Sequence, residues 1–117
     1  MLLQAELKKT KVLLVLNLTG EVEYLPDELG DLVHLRYLGL SRSLIKKLPR
    51  TIGNLQNLQT LNADNCSKLF ELPIEVLNIK QLRHLLLSHN YQYDGGIRVP
   101  RGTGTLVNLH TCYLQPS

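Results

Sequence analysis

Side chains able to grip another molecule recur in pairs at one place along this chain: Arg36-Tyr37, Gln59-Thr60, Arg83-His84 and His110-Thr111. Each pair is framed by an apolar residue on either side: Leu35 and Leu38, Leu58 and Leu61, Leu82 and Leu85, Leu109 and Cys112. Further along the same register come Asn62 and Asp64 in one copy, Leu86 in another and Tyr113 in the last. Arg and Tyr are enriched at the hot spots of protein interfaces, and an exposed Leu86 beside Tyr113 would supply an apolar centre. Arg36, Tyr37, Thr60, Asn62, Asp64, Arg83, His84, Leu86, His110 and Tyr113 are therefore read as a protein-binding surface.

Catalytic chemistry finds no support in the same residues. His34, His84, His89 and His110, with Cys66 and Cys112, show no zinc-ligand spacing, no HExxH and no CxxC. No serine or cysteine stands in a nucleophile context such as GxSxG. The run GTGT from Gly102 lacks the lysine and the strand-to-helix setting that a phosphate loop requires. The reading is a non-enzymatic chain without catalytic residues and without a metal site.

The elements that would position these pairs are repeats. Leu35 to Asn57 is the template: leucines at 35, 38 and 40, a variable stretch, then Leu48-Pro49, Ile52-Gly53 and Leu55, after which the pattern restarts at Leu58. Complete units begin at Leu13, Leu35, Leu58 and Leu82, and a truncated fifth begins at Leu109. Residues 1–10 precede the register and read as a leader or the remnant of an upstream unit; residues 11–117 form the repeat domain. Self-similarity at this period marks a solenoid whose units stack side by side.

The proline-to-leucine step is the same in every unit: Pro26 to Leu35, Pro49 to Leu58, Pro73 to Leu82 and Pro100 to Leu109. Length variation falls wholly between the strand and the proline. The L-x-x-L-x-L triplet alternates inward leucines with outward variable residues, the mark of a short strand. Successive strands would lie parallel about 4.8 Å apart. The Pro-x-x-Ile-Gly-x-Leu segment would return on the far side as a short helical or 3-10 turn opened by its proline. The fold class expected is α/β: a right-handed solenoid with a curved parallel sheet on its concave face and short turns on its convex side. About six apolar side chains per unit would face inward, each worth on the order of 1.5–3 kcal/mol when buried. No unit can bury them alone, so the chain is expected to be a segment of a longer solenoid, marginal by itself.

The fourth unit is the longest because of Tyr91 to Ile97, a glycine-hinged rim loop that offers Tyr91, Tyr93 and Asp94 as further binding candidates. Cys66 and Cys112 lie two strands apart in a regular stack, roughly 10 Å, too far for a bridge, and read as buried thiols. Lys and Arg are dispersed for a net charge of +3, with no basic run longer than the pairs Lys8-Lys9 and Lys46-Lys47, so no nucleic-acid partner is indicated. The apolar run from Val12 breaks at Asn17, well short of the roughly 18 residues of a membrane span. The expected setting is cytoplasmic. The formal sequons at Asn17 and Asn65 keep an extracellular receptor ectodomain open as an alternative.

The stretches LPDELGDLVHLRYLGL, IKKLPRTIGNLQNLQTLN and FELPIEVLNIKQLRHLLL resemble the leucine-rich repeats of plant intracellular nucleotide-binding disease-resistance receptors. Cys66 falls where such repeats carry Asn or Cys. The Leu-Pro-x-x-Ile-Gly-x-Leu return also occurs in Ras-suppressor-type scaffolds, which remain an alternative. Ala63, Leu77, Gly96 and Thr103 depart from the pattern. The resemblance implies a sensor that binds a pathogen effector or a host target and holds an adjacent nucleotide-binding domain inactive. It also implies that ADP or ATP belongs to that neighbour, with no cofactor on this chain.

Overall fold

The computed structural model describes residues 13–87, together with 98–99, 101 and 115–116. The leucine triplets form strands β1 (Val15–Asn17), β2 (Tyr37–Gly39), β3 (Thr60–Asn62) and β4 (His84–Leu86). They make one parallel sheet in the order β1-β2-β3-β4. Val15, Tyr37, Thr60 and His84 align across it, as do Leu16, Leu38, Leu61 and Leu85. The register thus follows the repeat residue for residue. The period-two expectation holds: Leu38, Leu61 and Leu85 are fully buried, while the flanking residues turn outward.

Between the strands lie three 3-10 turns, η1 (Asp27–Asp31), η2 (Arg50–Asn54) and η3 (Ile74–Asn78). Each turn is opened by its proline: Pro26, Pro49 and Pro73 stand at the cap position in extended backbone, with their carbonyls accepting the first turn bond. The constant proline-to-leucine step has a mechanical cause in the next bonds. Leu29 N–H donates to the Pro26 carbonyl, Leu32 to Leu29 and Leu35 to Leu32, at 3.1, 3.1 and 2.9 Å. The same chain of bonds runs Pro49–Ile52–Leu55–Leu58 and Pro73–Val76–Ile79–Leu82. Residues three apart eclipse one another in this geometry, so every link returns an apolar side chain to the same inner face.

That face is nearly dry. Leu29, Leu32, Leu35, Ile52, Leu55 and Leu58 are completely buried, and Ala63 fills a leucine position without exposing the core. The second unit buries more than the expected set, because Ile45, from the stretch leaving the strand, is also completely buried. Coils meet closely on the return side. A side-chain carbon added at Gly30 would stand 2.7 Å from Thr51 Cβ, and one at Gly53 would stand 2.9 Å from the Glu75 carbonyl. Thr51 Oγ1 donates to the Asp27 carbonyl at 2.8 Å, and Gln56 Nε2 donates to the carbonyls of Gly53 and Asn78. A second, two-stranded parallel pair, β5 (Arg98–Val99) with β6 (Gln115–Pro116), lies farther along the chain.

Candidate protein-recognition face

The sheet offers its outward side chains in two rows. Val15, Tyr37, Thr60 and His84 form one, and Asn17, Gly39, Asn62 and Leu86 the other. Strand spacing sets neighbours in a row about 4.8 Å apart. Of the residues expected to bind, Tyr37, Thr60, Asn62, His84 and Leu86 lie on the strands and are brought together on one face. Arg36 and Arg83 are exposed but stand one position ahead of their strands, along the amino-terminal edge of the sheet. Asp64 lies past β3 in the outgoing turn, with its N–H donating to Asn62 Oδ1 at 3.2 Å. Leu86 is half-buried rather than exposed, so the apolar centre expected there is weaker. His110, Tyr113, Tyr91, Tyr93 and Asp94 lie outside the described residues, as does Cys112.

A cluster around Gly39 organises the middle of the face. A side-chain carbon at Gly39 would overlap Asn17 Oδ1 and stand 2.8 Å from Tyr37 Cε1. Asn17 therefore reaches over the glycine from one side while the tyrosine ring folds across it from the other. Asn62 Nδ2 completes the arrangement by donating to Tyr37 Oη at 3.1 Å. A bare position in the sheet lets one aromatic side chain lie down and lock to the next strand, which lowers the entropy lost when a partner packs on it. Gly39 and Asn17 are absent from the sequence-derived set. The glycine in an outward strand position was the signal that could have found them.

Beneath the outgoing turns the polar groups satisfy one another. Cys66 Sγ donates to the Leu40 carbonyl at 2.9 Å and lies 3.6 Å from Ser43 Oγ, with both residues buried. Burial pushes the Cys66 thiol above its ordinary range, tempered by its bonds to Ser43 and Arg42. The expectation of a buried, unbridged thiol holds for Cys66. This chemistry makes it an inert filler rather than a nucleophile.

Opposite the sheet a depression of about 340 Å³ opens beside the second and third return turns, lined in part by Lys47, Arg50, Glu71, Ile74 and Glu75. Two of its charges meet directly, with Arg50 Nε donating to Glu75 Oε2 at 2.9 Å. The Glu75 carboxyl is held below its ordinary range, first by its own backbone N–H and then by Arg50. Among the described residues no three His, Cys, Asp or Glu side chains gather as metal ligands. No helix among them is long and apolar enough to cross a membrane.

A family model described as a leucine-rich repeat region matches residues 1–115. The chain belongs to the leucine-rich repeat family. Its repeats are 45% identical over 111 residues to putative disease resistance RPP13-like protein 2 of Arabidopsis thaliana, covering 88% of this chain and 12% of that protein. They are 38% identical over 85 residues to RPP13-like protein 3 of the same plant, covering 67% of this chain and 10% of the relative. The chain thus spans about a tenth of the length of the curated relatives it matches. Among solved structures, a leucine-rich repeat protein of Leptospira interrogans superposes with a TM-score of 0.73 at 34% identity. That match covers 89% of this chain and 26% of the other. The resemblance to plant disease-resistance repeats read from the sequence is borne out, as is the parallel-sheet architecture with short return turns.

Proposed function

We propose that this leucine-rich repeat segment is the non-enzymatic recognition portion of a plant immune receptor, binding a pathogen effector or a host target through its sheet face. The observation that carries the reading is the Tyr37–Gly39–Asn62 cluster. It is a rigid aromatic group on an otherwise regular sheet, presented outward on a backbone whose register does not vary across four strands. The relatives named for disease resistance support the setting. In the parent receptor the same repeats would restrain a neighbouring nucleotide-binding domain in the cytoplasm, with ADP or ATP held there and no cofactor on this chain.

The test uses the full receptor and its defence response. Thr60→Trp places bulk in the centre of the face without touching the core, and is expected to abolish the response to the recognised effector. Thr51→Ala, on the return side, is expected to leave it intact. A normal response from Thr60→Trp at normal protein abundance would refute the reading.

A further inference from the structure

Charged side chains stand on both sides of the stack. On the return side, η1 carries Asp27, Glu28 and Asp31, and Arg50 is matched with Glu75. Around the sheet the charged side chains include Arg36 and Arg83 on the amino-terminal edge, Arg42 in the turn beyond β2, Glu21 in the turn beyond β1, and Asp64. The ion pairs of the described residues, Lys46–Glu23 and Arg50–Glu75, involve none of these three arginines. Among the described residues these three cations are exposed and join no ion pair.

Arg42 adds an independent observation. It adopts a left-handed backbone with φ of 62°. Three residues past each aligned strand the backbone is left-handed in the flanking coils too: at Gly20, with φ of 86°, which pairs with Ser43, and at Asn65, with φ of 58°. Glycine tolerates this conformation freely and asparagine better than other side chains, whereas an arginine there is strained. The turn alone would favour the choice made in the flanking coils. A strained residue that carries an unpaired charge at the rim of a binding face points to a role outside the fold.

We propose that the sheet face takes an acidic, extended protein segment laid across the strands, its carboxylates held by Arg36 and Arg83 at one edge and by Arg42 at the other. This rests on the recognition reading above and names the chemistry of the partner. Arg36 and Arg83 stand two strands apart, about 10 Å. Every second and every fourth side chain of an extended segment are separated by roughly 7 and 13 Å, distances that two long arginines can bridge. Guanidinium groups suit carboxylates because two N–H donors can meet two oxygens. Tyr37, locked across Gly39, lies between the edges as an aromatic platform for the segment's backbone and its uncharged residues.

The experiment measures fluorescence anisotropy of a labelled peptide of alternating Glu and Thr against the 117-residue chain at low salt. A Lys-Thr peptide of the same length and a single-stranded RNA serve as competing probes. The Glu-Thr peptide alone is expected to bind. Arg36→Gln, Arg83→Gln and Arg42→Gly should each weaken it about threefold, with the affinity falling as salt is added. Arg42→Gly should also raise Tm by about 4 °C as the strain is relieved, which separates lost binding from lost folding. Lys47→Gln and Arg50→Gln, on the far side, should leave binding unchanged. Equal binding of the Lys-Thr peptide, tighter binding of RNA, or undiminished peptide binding by Arg42→Gly would overturn the proposal. If Thr60→Trp silences the receptor while the arginine variants change nothing, recognition stands and the acidic partner falls. If Thr60→Trp leaves the receptor active, recognition itself falls.

Discussion

The path that returns from each proline to the next strand and the path that leaves each strand for the next proline connect the same two sides of the stack, yet only one varies in length. On the return path the bonds Pro49–Ile52–Leu55–Leu58 form a chain in which every third residue must be apolar. A residue added there would turn all that follows by about a third of a circle. On the outgoing path Cys66 and Leu69 are separated by Ser67 and Lys68, whereas Ser43 and Ile45 are separated by Leu44 alone, and the core closes in both cases. The extra residue bulges into solvent. One path holds the stack together, and the other is free to change what the molecule presents.

The largest effect should come from inserting an alanine between Asn54 and Leu55. It would move Leu55 and Leu58 off the inner face, and each fully buried leucine lost costs about 2–5 kcal/mol, enough together to unfold a marginally stable domain. The same insertion after Leu44 imitates the third coil and should leave a cooperative melt; equal damage from the two would break the comparison. Next comes Leu61→Ala, from the middle of the sheet, with a loss of about 2–5 kcal/mol in urea denaturation.

Gly53→Val sharpens the comparison within the return path itself. The added carbon would press on the Glu75 carbonyl, and overpacking of this kind costs about 1–3 kcal/mol by the same assay. Thr60→Ala, on the outward row, should stay within about 0.5 kcal/mol of the parent because its side chain is not part of the core. The smallest effect belongs to Glu75. Its carboxyl titrates lower in the folded chain than in the unfolded one, so its contribution is present at neutral pH and disappears as pH falls through the folded value. Glu75→Gln should lower stability slightly at neutral pH and flatten that part of the acid limb, so that the two stability–pH curves converge in acid.

The strands and the constant return were legible in the residues because both impose a strict period: alternation in L-x-x-L-x-L, and a threefold step from proline to the next leucine. What makes the step constant was not legible, since the sequence shows a spacing while the nested turn bonds that enforce it exist only in the folded chain. The proline was legible as the residue that opens each turn, because its missing N–H would find no partner there. Ile45 stands four residues before its proline, as Val22 and Leu69 do before theirs, and that spacing was the signal that could have marked it as inward. On the face, Tyr37 and Asn62 could be assigned to adjacent strands, but their hydrogen bond depends on Gly39 lying beneath the ring. Arg42 was invisible as a candidate until its backbone angle set it beside Gly20 and Asn65.

Recognition is expected through the sheet side of the parallel stack. A photoreactive phenylalanine analogue placed in turn at Thr60, Asn62, Arg50 and Glu75 of the receptor, irradiated with its effector present, measures this most directly. The prediction is covalent adducts from positions 60 and 62 and none from positions 50 and 75. Adducts confined to positions 50 and 75 would contradict it.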